Sequence, residues 1–384
     1  MTSESFLYGL IGCAGGAALL MAGFLIRTQA WHLRFSGDHP GGGPQKLHTQ
    51  PTPRIGGLAV LAGFLAALAW MSLSAPPDLH PAVESLRLPG LLAGLLPLFA
   101  LGLIEDISKA VSVRLRLGVA LVAGALAYGL AGVKVHALGV PLLDNLVHSQ
   151  PLLSLLFPFV FTLVAVAGLV HAMNIVDGLN GLLAGITLVI LGVLATVASR
   201  MGDGALVLLA LAGIGATAGF AVFNFPRARL FCGDAGAYLI GYLIAVLVIL
   251  LVLRQPAVSP WFALALVMHP VTETLYSAWR RARRGMKATA PDARHMHSLW
   301  AANLQQRSDE SGRPVWLGAN AGASVRTMAV ASLSPLLAAT CPTQTLALQA
   351  ICAAYLAVFV VTVRLLERPI YSREASSFLS EDAQ

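Results

Sequence analysis

Long apolar segments recur along the whole sequence and are separated by short polar connections. A helix needs about 20 mostly apolar residues to cross the hydrocarbon core of a bilayer. The segments of this kind are residues 6–26, 55–74, 88–104, 115–133, 152–170, 181–199, 204–223, 236–253, 259–279, 325–341 and 344–364. With 57% hydrophobic and only 11% charged residues, the chain is also more apolar than ordinary soluble proteins. We therefore predict an all-α, polytopic integral membrane protein with about 11 transmembrane helices.

Basic residues lie almost entirely on alternate connections between these segments. Of the 25 Lys and Arg residues, only Arg87, Lys134, Arg200 and Arg254 lie on the other connections. Because basic residues beside membrane spans stay in the cytoplasm, we expect the N-terminus outside and the C-terminus inside. The same rule accounts for the formal net charge of +7, so we expect no nucleic-acid partner.

The chain shows no internal division into separate domains. We predict one transmembrane catalytic domain over residues 1–368 and a cytoplasmic tail over residues 369–384. No small-residue cleavage site follows the first apolar segment, so we expect that segment to be retained as a span. The expected cytoplasmic connections are residues 27–54, 105–115, 171–180, 224–235 and 280–324.

Carboxylates beside the spans carry the chemical signal. Glu105, Asp106, Asp177 and Asp234 are far apart in sequence, yet the predicted topology places all of them on the cytoplasmic face. Ionisable residues at membrane spans are costly and usually functional. A cluster of carboxylates repels itself unless a cation is present, and oxygen ligands favour a hard divalent ion such as Mg²⁺. We therefore predict an active site with Mg²⁺ on the cytoplasmic face, with Mn²⁺ as a possible substitute.

Basic and imidazole side chains occur on the same face. They are Lys46, His48, Arg54, Lys109, Arg114, Arg116, Arg229, Arg294, His295 and His297. Such groups are suited to phosphate oxygens. Acidic residues for a metal together with basic residues for phosphate predict phosphoryl chemistry.

Each element also has a simpler interpretation. Glu105 and Asp106 could be a solvated helix end paired with Lys109 one turn later. The Asp177-Gly178 step and the Gly233-Asp234 step could be ordinary turns. The His295-x-His297 pair is not a sufficient zinc signature. Only their shared face favours the joint interpretation.

Five ordered motifs between residues 46 and 299 carry a family resemblance. They are KLHTQPTPRIGGLAV, GLIEDISKAVSVRLRL, NIVDGLNGLLAG, FNFPRARLFCGDAGAYLIG and RRARRGMKATAPDARHMHSLW. In order and spacing the sequence resembles the bacterial polyprenyl-phosphate N-acetylhexosamine-1-phosphate transferases. It looks closer to the WecA-like branch than to the MraY-like peptidoglycan enzymes.

This resemblance implies Mg²⁺-dependent transfer of sugar 1-phosphate from a UDP-N-acetylhexosamine, most simply UDP-GlcNAc, to undecaprenyl phosphate with release of UMP. It implies a bacterial inner membrane protein that initiates a lipid-linked surface glycan such as O-antigen, and it leaves homodimer formation open. The alternatives are a membrane transporter and a non-catalytic polyprenyl-lipid-binding protein. Transporter sites usually lie near the bilayer midplane, whereas the charges here lie at one surface.

The resemblance also implies roles for individual residues. Asp234 would be the metal ligand, and Asp106, assisted by Glu105, would position or deprotonate the lipid phosphate. The other implied catalytic residues are Asp177, His295 and His297, and the two histidines would face the pyrophosphate of the UDP-sugar. The implied substrate-binding residues are Lys46, His48, Asn174, Asn180, Asn224 and Arg294.

Several positions depart from the family pattern. Glu105 stands in place of the first Asp of a paired Asp-Asp, and Asn180 replaces the second Asp of a DGxDG stretch. The family's HxHH ends here in Ser298, and Ala237 stands where Ser is usual. Asn keeps a hydrogen-bonding oxygen but cannot act as a base. These changes leave Asp106, Asp177, Asp234 and His295 in place.

Overall fold

The computed structural model describes residues 3–38, 51–286 and 294–381, with side chains between residues 4 and 368. These residues form α-helices joined by short connections, together with one antiparallel pair of two-residue strands. The strands are β1 (Gly37–Asp38) and β2 (Thr52–Pro53). The helices are α1 (Ser3–Arg27), α2 (Gln29–Ser36), α3 (Gly57–Ser74), α4 (His80–Ser85), α5 (Leu88–Ser108), α6 (Val113–Leu130), α7 (Pro141–Ser149), α8 (Pro151–Val176), α9 (Leu182–Arg200), α10 (Gly204–Asn224), α11 (Gly233–Arg254), α12 (Pro260–Leu266), α13 (Met268–Arg283), α14 (Met296–Ser311), α15 (Gly318–Ala331), α16 (Leu333–Ala338) and α17 (Thr345–Glu381).

Within the described residues, nine helices are long and apolar enough to cross a bilayer. They are α1, α3, α5, α6, α8, α9, α10, α11 and α17. Each coincides with one of the segments predicted from hydropathy, so the prediction of an all-α, polytopic membrane protein is confirmed. The last helix runs on to Glu381, so the predicted tail from residue 369 begins as its continuation.

The two other predicted spans are not continuous helices. Segment 259–279 is divided between α12 and α13, and segment 325–341 between α15 and α16. A proline stands four residues after the end of the first helix in each pair, at Pro270 and at Pro335. Proline has no N–H to donate to the carbonyl four residues earlier, and its ring crowds that carbonyl. Hydropathy alone missed these breaks because prolines inside apolar runs barely lower the average.

Helix α11 is the centre of the bundle. It is the most deeply buried of the nine candidate spans, with 89% of its apolar window inside the protein. Its first turn packs against the backbones of α3 and α5 at glycines. A methyl group added at Gly102 would lie 2.5 Å from the Cα of Ala235, and one at Gly57 would collide with the amide of Gly236. These close approaches bring the beginning of α11 against the cytoplasmic connections predicted above.

Candidate active site

The site is built around the N-terminus of α11. Asp106, near the end of α5, is fully buried, and its two carboxylate oxygens accept the backbone amides of Asp234 at 2.8 Å and Ala235 at 3.0 Å. The first amides of a helix have no partner within the helix, and a negative charge there is favourable. Asp106 therefore caps α11 and fixes its start against α5.

Asp234 lies in the same first turn and is surrounded by donors. Its Oδ1 accepts Asn174 Nδ2 at 3.0 Å and Arg54 Nη2 at 3.3 Å. Its Oδ2 accepts the hydroxyl of Tyr238 at 3.3 Å and Arg116 Nη1 at 3.5 Å. Only 6% of the residue is exposed. Four different helices or connections thus converge on one carboxylate.

Arg54 is positioned by the small sheet. Its backbone amide donates to the Ser36 carbonyl at 2.8 Å, directly after β2. The guanidinium lies 3.3 Å from Asp234 and 3.7 Å from Asp106. Burial alone would lower the pKa of Arg54, but the carboxylates, Asp106 foremost, outweigh it and raise that pKa above its usual range. Arg54 is therefore a fixed cation beside both aspartates.

A second cation, Arg116 on α6, faces the other side of the site. It lies 3.5 Å from Asp234 and 3.7 Å from Glu105. The second oxygen of Glu105 accepts the Val111 amide at 2.8 Å and thereby shapes the turn between α5 and α6. Lys109 does not pair with these acids as the simpler interpretation supposed, since its Nζ donates to the Gly37 carbonyl at 2.6 Å.

Asp177 terminates α8 beside the same turn of α11. Burial and the neighbouring Asp234 raise its pKa to about 7, while Arg54 and a backbone hydrogen bond from Gly233 act in the opposite direction. The group titrates near neutral pH chiefly because it is buried, and the charge of Asp234 adds to the effect. A cation or a substrate donor placed here would favour its ionised form.

Asn180 and Asn224 are both held by hydrogen bonds to the protein. Asn180 Nδ2 donates to the Pro226 carbonyl at 3.0 Å, and the Asn180 amide donates to Asn320 Oδ1 at 2.8 Å. A carboxylate at position 180 could not donate to a carbonyl, which is a physical reason for the departure from DGxDG. Asn180 therefore joins the connection after α8 to the connection after α10 and to α15.

Asn224 has a similar clamping role. Its Oδ1 accepts the Gly181 amide at 2.6 Å, and its Nδ2 donates to the Leu230 carbonyl at 2.9 Å. Both ends of the buried amide are thus used by the backbone. The nucleotide contact expected for Asn224 would compete with these bonds.

The histidine motif forms the beginning of α14. The rings of His295 and His297 are nearly parallel, with centroids 5.4 Å apart. The Oε1 atom of Glu273 on α13 accepts the Met296 amide at 2.6 Å and lies 3.7 Å and 4.0 Å from the two Nδ1 atoms. A methyl group at Gly178 would collide with Nε2 of His297, so this ring lies directly against the residue after Asp177.

Comparison with known proteins gives the relationship directly. A family model described as glycosyl transferase family 4 matches residues 88–252. The chain is 30% identical to the undecaprenyl-phosphate alpha-N-acetylglucosaminyl 1-phosphate transferase of Yersinia pestis, over 66% of this chain and 67% of that protein. The chain belongs to glycosyl transferase family 4. It is also 28% identical to a probable undecaprenyl-phosphate N-acetylglucosaminyl 1-phosphate transferase of Bacillus subtilis, over 68% of this chain and 70% of that protein. It is 30% identical to the phospho-N-acetylmuramoyl-pentapeptide-transferase of Leuconostoc citreum, over 62% and 75%.

The match to glycosyl transferase family 4 covers only part of the site. The matched residues 88–252 include Asp106, Asn174, Asp177 and Asp234. The histidine motif and its carboxylate partner lie beyond that region, as does Arg54 before it. The structure nevertheless brings both flanking parts against the matched core.

The three remaining predicted residues, which were expected to bind substrate, belong to the connections 27–54 and 280–324. Lys46 and His48 lie outside the described residues. Arg294 is partly buried and directly precedes the first turn of α14. Sequence reasoning missed three residues that contact predicted ones: Tyr238, Glu273 and Asn320. Tyr238 had a signal, because it follows Asp234 by four residues on one helix face.

The donor chemistry fits a hard divalent cation. The carboxylates of Asp234 and Asp177 are electrostatically coupled and provide hard oxygen atoms. Among the residues that the structure describes, no three acidic, histidine or cysteine side chains are arranged to hold a metal by themselves. Mg²⁺ commonly binds one or two carboxylates and takes its remaining ligands from water and substrate phosphates.

Proposed function

We propose that this chain transfers N-acetylglucosamine 1-phosphate from UDP-N-acetylglucosamine to undecaprenyl phosphate or a similar polyprenyl phosphate, releasing UMP. The related proteins from Yersinia pestis and Bacillus subtilis bear names for this transfer. The product would be a polyprenyl pyrophosphoryl sugar that initiates a surface glycan such as O-antigen.

One observation carries the proposal. Asp106, Asp234 and the two arginines Arg54 and Arg116 meet at the N-terminus of the most buried membrane helix. Phosphoryl transfer depends mainly on positioning and on neutralising charge. The guanidinium groups of Arg54 and Arg116, held beside the start of α11, provide both for phosphate oxygens.

In the proposed reaction an oxygen of the lipid phosphate attacks the β-phosphorus of the UDP-sugar. The new bond joins that oxygen to phosphorus, and the bond from the β-phosphorus to the bridging oxygen breaks, so UMP leaves with its electron pair. A phosphate monoester has its second pKa near 6 and arrives largely deprotonated at neutral pH. Proton abstraction by Asp106 is therefore not needed, and both of its oxygens are already engaged by α11 amides.

The chain's own groups have distinct parts in this scheme. Arg54 and Arg116 attract the phosphate groups and stabilise charge that develops on the transferring group. Asp106 keeps the first turn of α11 in place, and Asn174 orients Asp234 through their hydrogen bond of 3.0 Å. Asp234 and Asp177 would hold Mg²⁺, or Mn²⁺ in its place. The bound ion would neutralise negative charge on the pyrophosphate.

The proposed location follows from charge. Basic residues flank the connections that carry these acids, and such residues stay on the cytoplasmic side. We therefore place the site at the cytoplasmic face of the inner membrane, where the water-soluble nucleotide sugar is available and the lipid phosphate lies at the bilayer surface. The N-terminus would then be periplasmic and the C-terminus cytoplasmic.

The test is sugar transfer by purified protein in detergent. Labelled UDP-N-acetylglucosamine and undecaprenyl phosphate are supplied with and without Mg²⁺, and lipid product and UMP are both quantified. Wild type should form them in equal amounts only with the metal, and Asp234→Asn should form neither. The matched control is Glu84→Gln, an exposed acid that precedes α5 at the end opposite Asp106. A wild type that binds the lipid but releases no UMP with any UDP-hexosamine would refute the transferase and leave the lipid-binding alternative.

A further inference from the structure

Glu273 is a buried carboxylate to which the proposed reaction gives no part. It lies on α13 and is only 2% exposed. Burying a charge is costly unless it is paired and hydrogen-bonded. A carboxylate at such a position therefore needs partners that offset the free-energy cost of burying its charge.

The histidine motif provides three partners of Glu273. Its Oε1 accepts the Met296 amide at 2.6 Å, and the same atom faces the Nδ1 atoms of His295 at 3.7 Å and His297 at 4.0 Å. The first of these bonds satisfies an amide in the first turn of α14, where a negative charge is also favourable. A single oxygen thus bonds to the beginning of α14 and lies at electrostatic contact distance from both imidazoles.

The orientation of His297 connects this carboxylate with the active site. Its Nδ1 faces Glu273, whereas its Nε2 lies against Gly178, the residue after Asp177. A carboxylate beside one ring nitrogen favours the tautomer protonated there and leaves the other nitrogen as an acceptor. The ring therefore spans the distance from α13 to the connection that contains Asp177.

The position of Glu273 is itself held by the last helix. One turn earlier on α13, His269 Nδ1 is 2.7 Å from the hydroxyl of Tyr355 on α17. Helix α14 is tied to the same helix, since Asn303 Nδ2 donates to the Leu366 carbonyl at 2.9 Å. Both helices that carry the proposed pair are thus docked on α17, which keeps Glu273 and the histidines in register.

We propose that Glu273 is the positioning residue of the histidine motif, which orients His295 and His297 toward the Asp177 connection without touching substrate. The inference rests on the proposed function, because the resemblance places these histidines at the pyrophosphate of the UDP-sugar. We therefore expect a change at Glu273 to affect only one of the two substrates. Loss of the charge on Glu273 impairs use of the nucleotide sugar and leaves use of the lipid phosphate unchanged.

The kinetic test compares Glu273→Gln and Glu273→Asp with wild type. Gln keeps an oxygen for the Met296 amide but removes the charge that faces the imidazoles. We expect kcat/KM for the UDP-sugar to fall about 100-fold, with the KM for lipid phosphate and the unfolding temperature unchanged. Asp restores the charge and should recover part of the loss. Glu310→Gln, an exposed acid on α14, is the matched control and should behave as wild type.

A full-rate Glu273→Gln variant would overturn the inference. So would a variant in which both KM values rise together with a lower unfolding temperature, because that pattern reports general loosening of the helices.

A second readout does not depend on turnover. Burial lowers the pKa of His297 to about 3, so the ring is neutral at pH 7 and carries one proton, on either Nδ1 or Nε2. Ring ¹⁵N shifts of histidine-labelled protein, assigned with His297→Gln, should show Nδ1 protonated in wild type and a changed tautomer in Glu273→Gln. An Nε2-protonated ring in wild type, or identical shifts in the variant, would contradict the inference. If wild type shows the expected tautomer but transfers no sugar phosphate, the proposed reaction fails while the role of Glu273 stands.

Discussion

Replacing Asp106 by Asn should destabilise the start of α11 as well as reduce activity. In the structure the two oxygens of Asp106 accept the amides of Asp234 and Ala235 at 2.8 Å and 3.0 Å, with no exposure to solvent. An Asn side chain has one acceptor oxygen, and its NH₂ group would face the second amide. A purely catalytic base, in contrast, could be removed without any effect on α11.

The expected magnitude follows from these two bonds. A buried N–H group left without a partner costs about 1–3 kcal/mol. The middle of this range, about 2 kcal/mol, corresponds to about 30-fold easier local opening at about 1.4 kcal/mol per factor of ten.

The assay is hydrogen exchange measured by mass spectrometry on peptides that include residues 230–240, with wild type and variant in the same detergent. The amides of the first turn of α11 should exchange about 30-fold faster in Asp106→Asn if exchange reports local opening. Peptides from α17 serve as an internal reference and should be unchanged.

The neighbouring acid provides the matched comparison. Glu105 gives one oxygen to the Val111 amide, and Gln can supply the same oxygen. Glu105→Gln should therefore leave exchange in α11 as in wild type. An inactive Asp106→Asn variant with unchanged exchange in residues 230–240 would refute the capping role and return Asp106 to the part of a free catalytic base.

Three further predictions concern the connections around the site. Burial and a neighbouring carboxylate raise the pKa of Asp177 to about 7, so the folded protein retains a proton that the unfolded chain releases near pH 4. Stability from this group is therefore lost progressively as pH rises from about 4 to about 7. Asp177→Asn should thus be inactive yet unfold at a higher temperature than wild type at pH 8, with a much smaller advantage at pH 5. Asn180→Asp would set a carboxylate against the Pro226 carbonyl, so the unfolding free energy should fall by about 1 kcal/mol with no gain in transfer rate; equal stability would count against the clamp. Gly178→Ala would displace His297 and should lower the transfer rate about 100-fold at a nearly unchanged unfolding temperature, and a normal rate would show that this contact is dispensable.

Hydropathy predicted most of the fold because crossing a bilayer is a local requirement. Each span must be long and apolar by itself, so nine helices could be located from their own residues. The breaks before Pro270 and Pro335 could also have been found, since proline acts through the carbonyl four residues earlier. The burial of α11 could not, because all of the spans are similarly apolar and only packing decides which one lies at the centre.

The sequence predicted which residues form the site but not the hydrogen bonds between them. Because Asp106, Asp177 and Asp234 share the predicted cytoplasmic face, we predicted that they belong to one site. In the structure the carboxylate of Asp106 accepts the backbone amide of Asp234. The partner of the histidine motif was missed. Glu273 lies within an apolar segment, and no local sequence pattern links it to residues more than 20 positions later.

The sequence by itself determined the class of protein, its spans, its expected orientation and the side chains available at one face, because hydrophobicity and charge act residue by residue on partition into the membrane. Only the tertiary structure decided how those side chains are used. Asp106 caps a helix that begins 127 residues later, Asn180 clamps two connections, and Glu273 binds the first turn of α14, because each role depends on hydrogen bonds between segments that only packing brings together.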